Sequence, residues 1–81
     1  MTETLTLPRE EILPAWRAAV LAYRRTRQAG EDHHAAHAAA VKAFQQVLPE
    51  VPKKDAVQEM ILAIAYASQQ HTAWFWQGVR G

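Results

Sequence analysis

The four histidines are the residues of this chain that could bind a metal ion. His33 and His37 are four positions apart, so in a helix they share one face and can bind the same ion. His71 reaches the same end of the molecule if the predicted helices run antiparallel. The sequence lacks the HExxH pattern of metalloproteases, and the same histidines fit structural positions or a pH-sensitive interface. We therefore predict no metal and no cofactor, with His33, His37 and His71 as the candidates should a metal be bound.

Arginines in the first predicted helix form the only concentration of basic residues. Arg17, Arg24 and Arg25 spread over its predicted solvent face, where they could contact phosphates, and Trp74 and Trp76 could stack bases. The same cations would complement the negative end of the helix dipole without any ligand. Nucleic-acid binding through Arg17, Arg24 and Arg25 is therefore an alternative that the sequence does not favour.

Several large apolar side chains lie off the predicted core. Leu21 is opposite the apolar stripe of the first helix, and Leu62 and Tyr66 point away from that of the third. Trp74 and Trp76 flank Phe75, and one small bundle cannot bury all three rings. Because aromatic side chains are enriched at protein interfaces, we predict a partner-binding surface. Its residues are Leu21, Leu62, Tyr66, Trp74 and Trp76.

Composition excludes several functional classes. The chain has 81 residues and is 49% hydrophobic, but sixteen residues are alanine, which leaves little large side-chain volume for a core. The net charge of +1 indicates neither a nucleic-acid binder nor an acidic mimic, and the absence of cysteine excludes disulfides and thiolate chemistry. No recognised catalytic motif, membrane-length apolar run or signal peptide is present. We therefore predict a soluble cytoplasmic protein that is not an enzyme.

Proline, glycine and capping residues divide the chain into helices. Gly30 is suited to end the first helix, and Asp32 to cap the second. Pro14 either kinks the first helix or restarts it, and Thr72 either caps a separate last turn or lies within a continuous third helix. The prediction is one all-α domain, a small up-down-up three-helix bundle. It comprises a short extended arm at residues 1–7 and helices at about 8–29, 32–48 and 52–76.

Apolar spacing also predicts which face of each helix is buried, since residues three and four apart share a face. The predicted inner faces are Ile12, Trp16, Ala19, Val20 and Tyr23 in the first helix, Ala36, Ala40, Phe44, Val47 and Leu48 in the second, and Val57, Met60, Ile61, Ile64 and Ser68 in the third.

Part of this pattern resembles a tetratricopeptide repeat. Trp16 and Tyr23 have the seven-residue separation of that repeat, and Ala40, Phe44 and Pro52 match its second half. The two halves are about eight residues further apart than in the repeat, and no second copy follows. We interpret the similarity as shared helical-hairpin packing and carry over no function from it.

The functional prediction is a small binding or regulatory module without catalytic activity. A small core without disulfides favours self-association, so we predict a homodimer, with another protein as a further possible partner and no membrane association. The alternatives are a nucleic-acid-associated accessory protein and, last, a histidine-based metal-binding protein.

Overall fold

The computed structural model describes residues 9–78. Within this range it contains four helices and no strands, so the all-α fold class is confirmed. The helices are α1 (Arg9–Gln28), α2 (His33–Val47), α3 (Lys53–Gln70) and α4 (Thr72–Trp76). The predicted arm at residues 1–7 lies outside the described residues.

The end of α1 is fixed by a glycine in the left-handed region, as predicted. Gly30 has a φ of +92°, and its N–H donates to the carbonyl of Arg27 at 3.0 Å. The N–H of Glu31 donates to the carbonyl of Thr26 at 3.2 Å. Together these bonds form a Schellman motif, which satisfies carbonyls that the helix end leaves unpaired. Pro14 lies inside α1, and the helix continues through it.

The start of α2 is fixed by an N-cap, also as predicted. The Oδ1 atom of Asp32 accepts a hydrogen bond from the N–H of Ala35 at 2.9 Å. This bond satisfies one of the free N–H groups of the first turn, and it lowers the pKa of the Asp32 carboxyl below its ordinary value. The connection between α1 and α2 is therefore set by local chemistry at both of its ends.

The C-terminal helical region is divided, which agrees with the predicted alternative of a separate last turn and not with one continuous helix over 52–76. α3 ends at Gln70 and α4 begins at Thr72, with His71 between them in a non-helical conformation. The hydroxyl of Thr72 donates to the carbonyl of Ser68 at 2.8 Å. Such side-chain bonds to preceding carbonyls compete with regular helix geometry. Thr72 starts the separate turn, but His71 occupies its N-cap position.

The core is built largely from alanine. α1 packs against both α2 and α3, α2 packs against α3, and α4 packs on α3. Among residues 9–78, seven of the fifteen buried apolar residues are alanines, and their small side chains let the helices approach closely. The largest fully buried side chains in this part of the chain are Phe44, Phe75 and Met60.

The buried face of α3 differs from the predicted one. Its core-facing residues are Ala56, Met60, Ala63 and Ala67, whereas Ile61, predicted to be buried, is 50% exposed. At about 100° per residue, this is a rotation of about a quarter turn around the helix axis. The alanine face turns inward because it allows closer helix contact, and the larger side chains move to the flanks.

The predicted inner face of α2 agrees with the structure except at the end of the helix. Ala36, Ala40 and Phe44 are buried, while Val47, also predicted to be buried, is 40% exposed. The helix ends at Val47, so this side chain lies where the packed surface of α2 stops.

Phe44→Ala should lower the free energy of unfolding by roughly 3–5 kcal/mol, because it empties a fully buried position in a close-packed core. Val47→Ala, in the same helix, is the matched control and should cost much less. Urea denaturation followed by circular dichroism measures both. Equal losses for the two variants would show that the buried face of α2 is wrongly assigned.

Candidate functional site

An open groove runs between α1 and α3 and ends at α4. We call it the α1–α3 groove, and its volume is about 370 Å³. Its surface combines aliphatic and aromatic side chains with one arginine and one histidine. The lining residues are Leu13, Trp16, Arg17, Val20, Leu21, Ala63, Tyr66, Ala67, His71 and Trp74.

Aromatic rings are in contact along this groove. The ring centroids of Trp16 and Tyr66 are 6.0 Å apart, and those of Tyr66 and His71 are 6.1 Å apart. The Nε1–H of Trp16 also donates to Oε1 of Glu59 at 3.0 Å, which joins α1 to α3. Tyr66 is nevertheless 52% exposed, so much of its ring faces solvent.

The short helix α4 is anchored by a single buried ring. Phe75 is 1% exposed and stacks on Tyr23 of α1, with centroids 5.5 Å apart and planes 14° apart. Trp74 and Trp76, on either side of it, are each 41% exposed. Phe75 therefore closes the end of the core, and Trp76 packs edge-on against it with ring centroids 4.7 Å apart.

Arg24 fastens α4 from outside. Its guanidinium lies 4.4 Å from the ring centroid of Trp74, and its Nε–H donates to the Trp74 carbonyl at 2.9 Å. An Nη2–H also donates to Oε1 of Gln77 at 3.0 Å, and Gln28 of α1 donates to the Gln77 carbonyl at 2.6 Å. These contacts form the Arg24 clamp.

The Arg24 clamp affects which of the predicted nucleic-acid-binding arginines are available to a ligand. Of the three, Arg24 is engaged within the chain, while Arg17 and Arg25 are exposed. Arg17 lines the α1–α3 groove beside apolar side chains. Arg17 and Arg25 are thus free of the contacts that engage Arg24 in the clamp, and nucleic-acid binding stays a prediction.

The histidines are divided between two places. The ring centroids of His33 and His37 are 4.4 Å apart, and those of His33 and His34 are 5.2 Å apart. His71, in contrast, contacts Tyr66 in the α1–α3 groove. Within residues 9–78 no three His, Cys, Asp or Glu side chains are grouped to hold a metal ion, so the three candidates His33, His37 and His71 do not form one site.

His37 is the half-buried member of the histidine group. Its ring lies 5.5 Å from that of Tyr23, between α2 and α1. Burial, together with the charge of the neighbouring His33 and His34, lowers the pKa of His37 below its ordinary value.

Three of the five predicted partner-binding residues come together in the structure. Leu21, Tyr66 and Trp74 all line the α1–α3 groove. Leu62 and Trp76 are exposed but lie outside its lining.

Sequence reasoning missed a second groove, between α2 and α3. Its volume is about 530 Å³, and Lys42 and Lys53 lie along it with exposed Ile61. The signal in the sequence was the row of alanines on α3. These alanines pack inward, which leaves Ile61 exposed at the side of the helix. Leu13 of the α1–α3 groove was also missed, since it lies just beside the apolar stripe of α1.

Comparison with protein-family models, with curated proteins and with solved structures gives no match. Within the described range, no helix is both long enough and apolar enough to cross a membrane.

Arg24→Ala should loosen α4, because it removes the cation–π contact and two hydrogen bonds. We expect faster amide hydrogen exchange in residues 72–77, with little change in α2. Arg25→Ala is the matched control, since this neighbouring arginine is exposed. Unchanged exchange in Arg24→Ala would contradict the role assigned to the clamp.

Stability should fall as the pH drops below about 6.5, because the pKa of His37 is lowered in the folded protein. The unfolded chain then binds a proton before the folded protein does, which favours unfolding. His37→Gln should reduce the slope of unfolding free energy against pH between 5 and 6.5, measured by urea denaturation with a chelator present. A slope identical to that of the wild type would contradict the assignment.

Proposed function

We propose that this protein is a small, non-catalytic binding module that forms a homodimer through the α1–α3 groove. The observation that carries the proposal is the exposure of Tyr66 and Trp74 in a groove whose lining is mainly apolar, with Arg17 and His71 as its charged or titratable members. The cytoplasmic location predicted from the sequence is part of the same proposal.

Contiguity distinguishes this surface from ordinary exposed residues. Single exposed apolar side chains are common and need no explanation. Here Leu13, Leu21, Tyr66 and Trp74 line one groove, and Leu62 lies one turn of α3 before Tyr66. Joined apolar surfaces of this kind are characteristic of interaction sites, and tyrosine and tryptophan are enriched there.

A second copy of the chain is the partner that the core itself favours. Domains near this size bury too little apolar surface to be very stable alone, and small proteins commonly compensate with disulfides, metals or oligomerisation. This chain has no cysteine, and its buried residues are mostly small. In a two-fold dimer the same groove faces its equivalent, so each copy covers the aromatic side chains of the other.

The proposed arrangement of α1, α2 and α3 is up, down, up. It is supported by the short connections at residues 29–32 and 48–52 and by the packing of each of these helices against the other two. In this arrangement the α1–α3 groove runs along the length of the bundle, which suits side-by-side association.

Light scattering on a sizing column tests the proposal. The wild type should elute with twice the 9.1 kDa mass of one chain at both low and high salt, because the proposed interface is mainly apolar. Tyr66→Asp should yield a monomer, since it places a charge in the interface.

Ile61→Asp is the matched control for this test. Ile61 is on the same helix with nearly the same exposure as Tyr66, but it lines the other groove. This variant should remain a dimer. A monomeric wild type, or equal dissociation of both variants, would contradict the proposed interface.

A further inference from the structure

His33 and His37 lie close together at the start of α2, whereas His71 lines the α1–α3 groove. His33 and His37 occupy successive turns, and their ring centroids are 4.4 Å apart with planes 48° apart. We propose that His33 and His37 bind a late first-row divalent transition-metal ion, with Cu²⁺ bound most tightly. This inference does not depend on the dimer.

The ring separation is close to that of a chelate. With nitrogen–metal bonds of about 2.0–2.1 Å, two imidazoles on one ion have centroids about 4.5–5.2 Å apart for angles of about 90–109° at the metal. The observed 4.4 Å is just below this range, so a slight separation of the rings would let them share one ion. Among first-row divalent ions, a site of imidazole nitrogens binds Cu²⁺ most tightly.

One ring of the pair is restrained before any ion arrives. His37 is half-buried against Tyr23, and the helix turn that carries both histidines begins at the Asp32 cap. His33 is exposed, so an ion can reach the pair from solvent. Binding therefore has to order mainly the His33 side chain, which limits its cost in conformational entropy.

The surroundings favour a cation at neutral pH. Metals bind the unprotonated imidazole, and the lowered pKa of His37 keeps its ring in that form. The Asp32 carboxylate is near enough to His33 and His34 for their charges to lower its own pKa, so it adds negative charge beside the site. With no grouped third ligand among the described residues, water would complete the coordination.

Isothermal titration of the full, tag-free chain with CuCl₂, ZnCl₂ and MgCl₂ tests the site. We expect one Cu²⁺ per chain, weaker Zn²⁺ binding, and no Mg²⁺ binding, because Mg²⁺ prefers oxygen ligands. Cu²⁺ should also raise the melting temperature, since the two histidines are held together only in the folded helix.

Single substitutions identify the ligands. His33→Ala should weaken Cu²⁺ binding about tenfold or more, because losing a ligand costs at least as much as losing a residue that merely orients one. His71→Ala removes an exposed histidine in contact with Tyr66 and should leave the affinity unchanged. Circular dichroism confirms that each variant is folded.

Three results would overturn the proposal. They are the absence of saturable Cu²⁺ binding by the wild type, an affinity unaffected by His33→Ala, and an equal loss of affinity in His71→Ala. His37→Gln provides a second check on the buried ligand, with a side chain that preserves more packing than alanine. It should weaken Cu²⁺ binding as His33→Ala does.

Discussion

Close contact through alanine side chains is the constraint on which the rest of this structure depends. Ala15 and Ala19 of α1, Ala36 and Ala40 of α2, and Ala63 of α3 are all fully buried. A helix can approach another closely only where both present small side chains. Positions occupied by the alanines are therefore unavailable to larger residues, which must lie at the flanks of each contact.

The two grooves are a direct result of this arrangement. When α3 turns its alanine face inward, Tyr66 is placed on the side of α1 and Ile61 on the side of α2. Large side chains that would fill the core of an ordinary bundle then form the walls of surface clefts. The exposed apolar surface of this protein is thus a consequence of how its core is packed.

Local chemistry explains how much could be predicted from the sequence. Gly30 and Asp32 act within a few residues of their own positions, so the end of α1 and the start of α2 were predicted correctly. The rotation of α3 was missed because apolar spacing gives greater weight to Ile61 than to Ala63, whereas tight packing favours the smaller residue. Thr72 was recognised as a possible start of a separate turn, but its bond to the carbonyl of Ser68 could be seen only in the structure.

The candidate sites also differ in whether they follow from local helical spacing or from the packing of several elements. The proximity of His33 and His37 follows from helical spacing alone, and the structure retains it. His71 was expected near His33 and His37 because the predicted helices run antiparallel. In the structure His71 lies between α3 and α4 and lines the α1–α3 groove instead. Leu21, Tyr66 and Trp74 were each recognised as lying off the core, but their union in one groove required the packing of three elements.

The dependence of α4 on distant partners has a consequence for folding. Five residues are too few to form a stable helix alone, and Trp74 is fifty positions from the Arg24 side chain that holds it. Its helical turn is therefore stabilised by tertiary contacts and not by its own sequence. The end wall of the α1–α3 groove that Trp74 supplies exists only while α4 is docked on α1, so any local opening of α4 also opens the groove at that end.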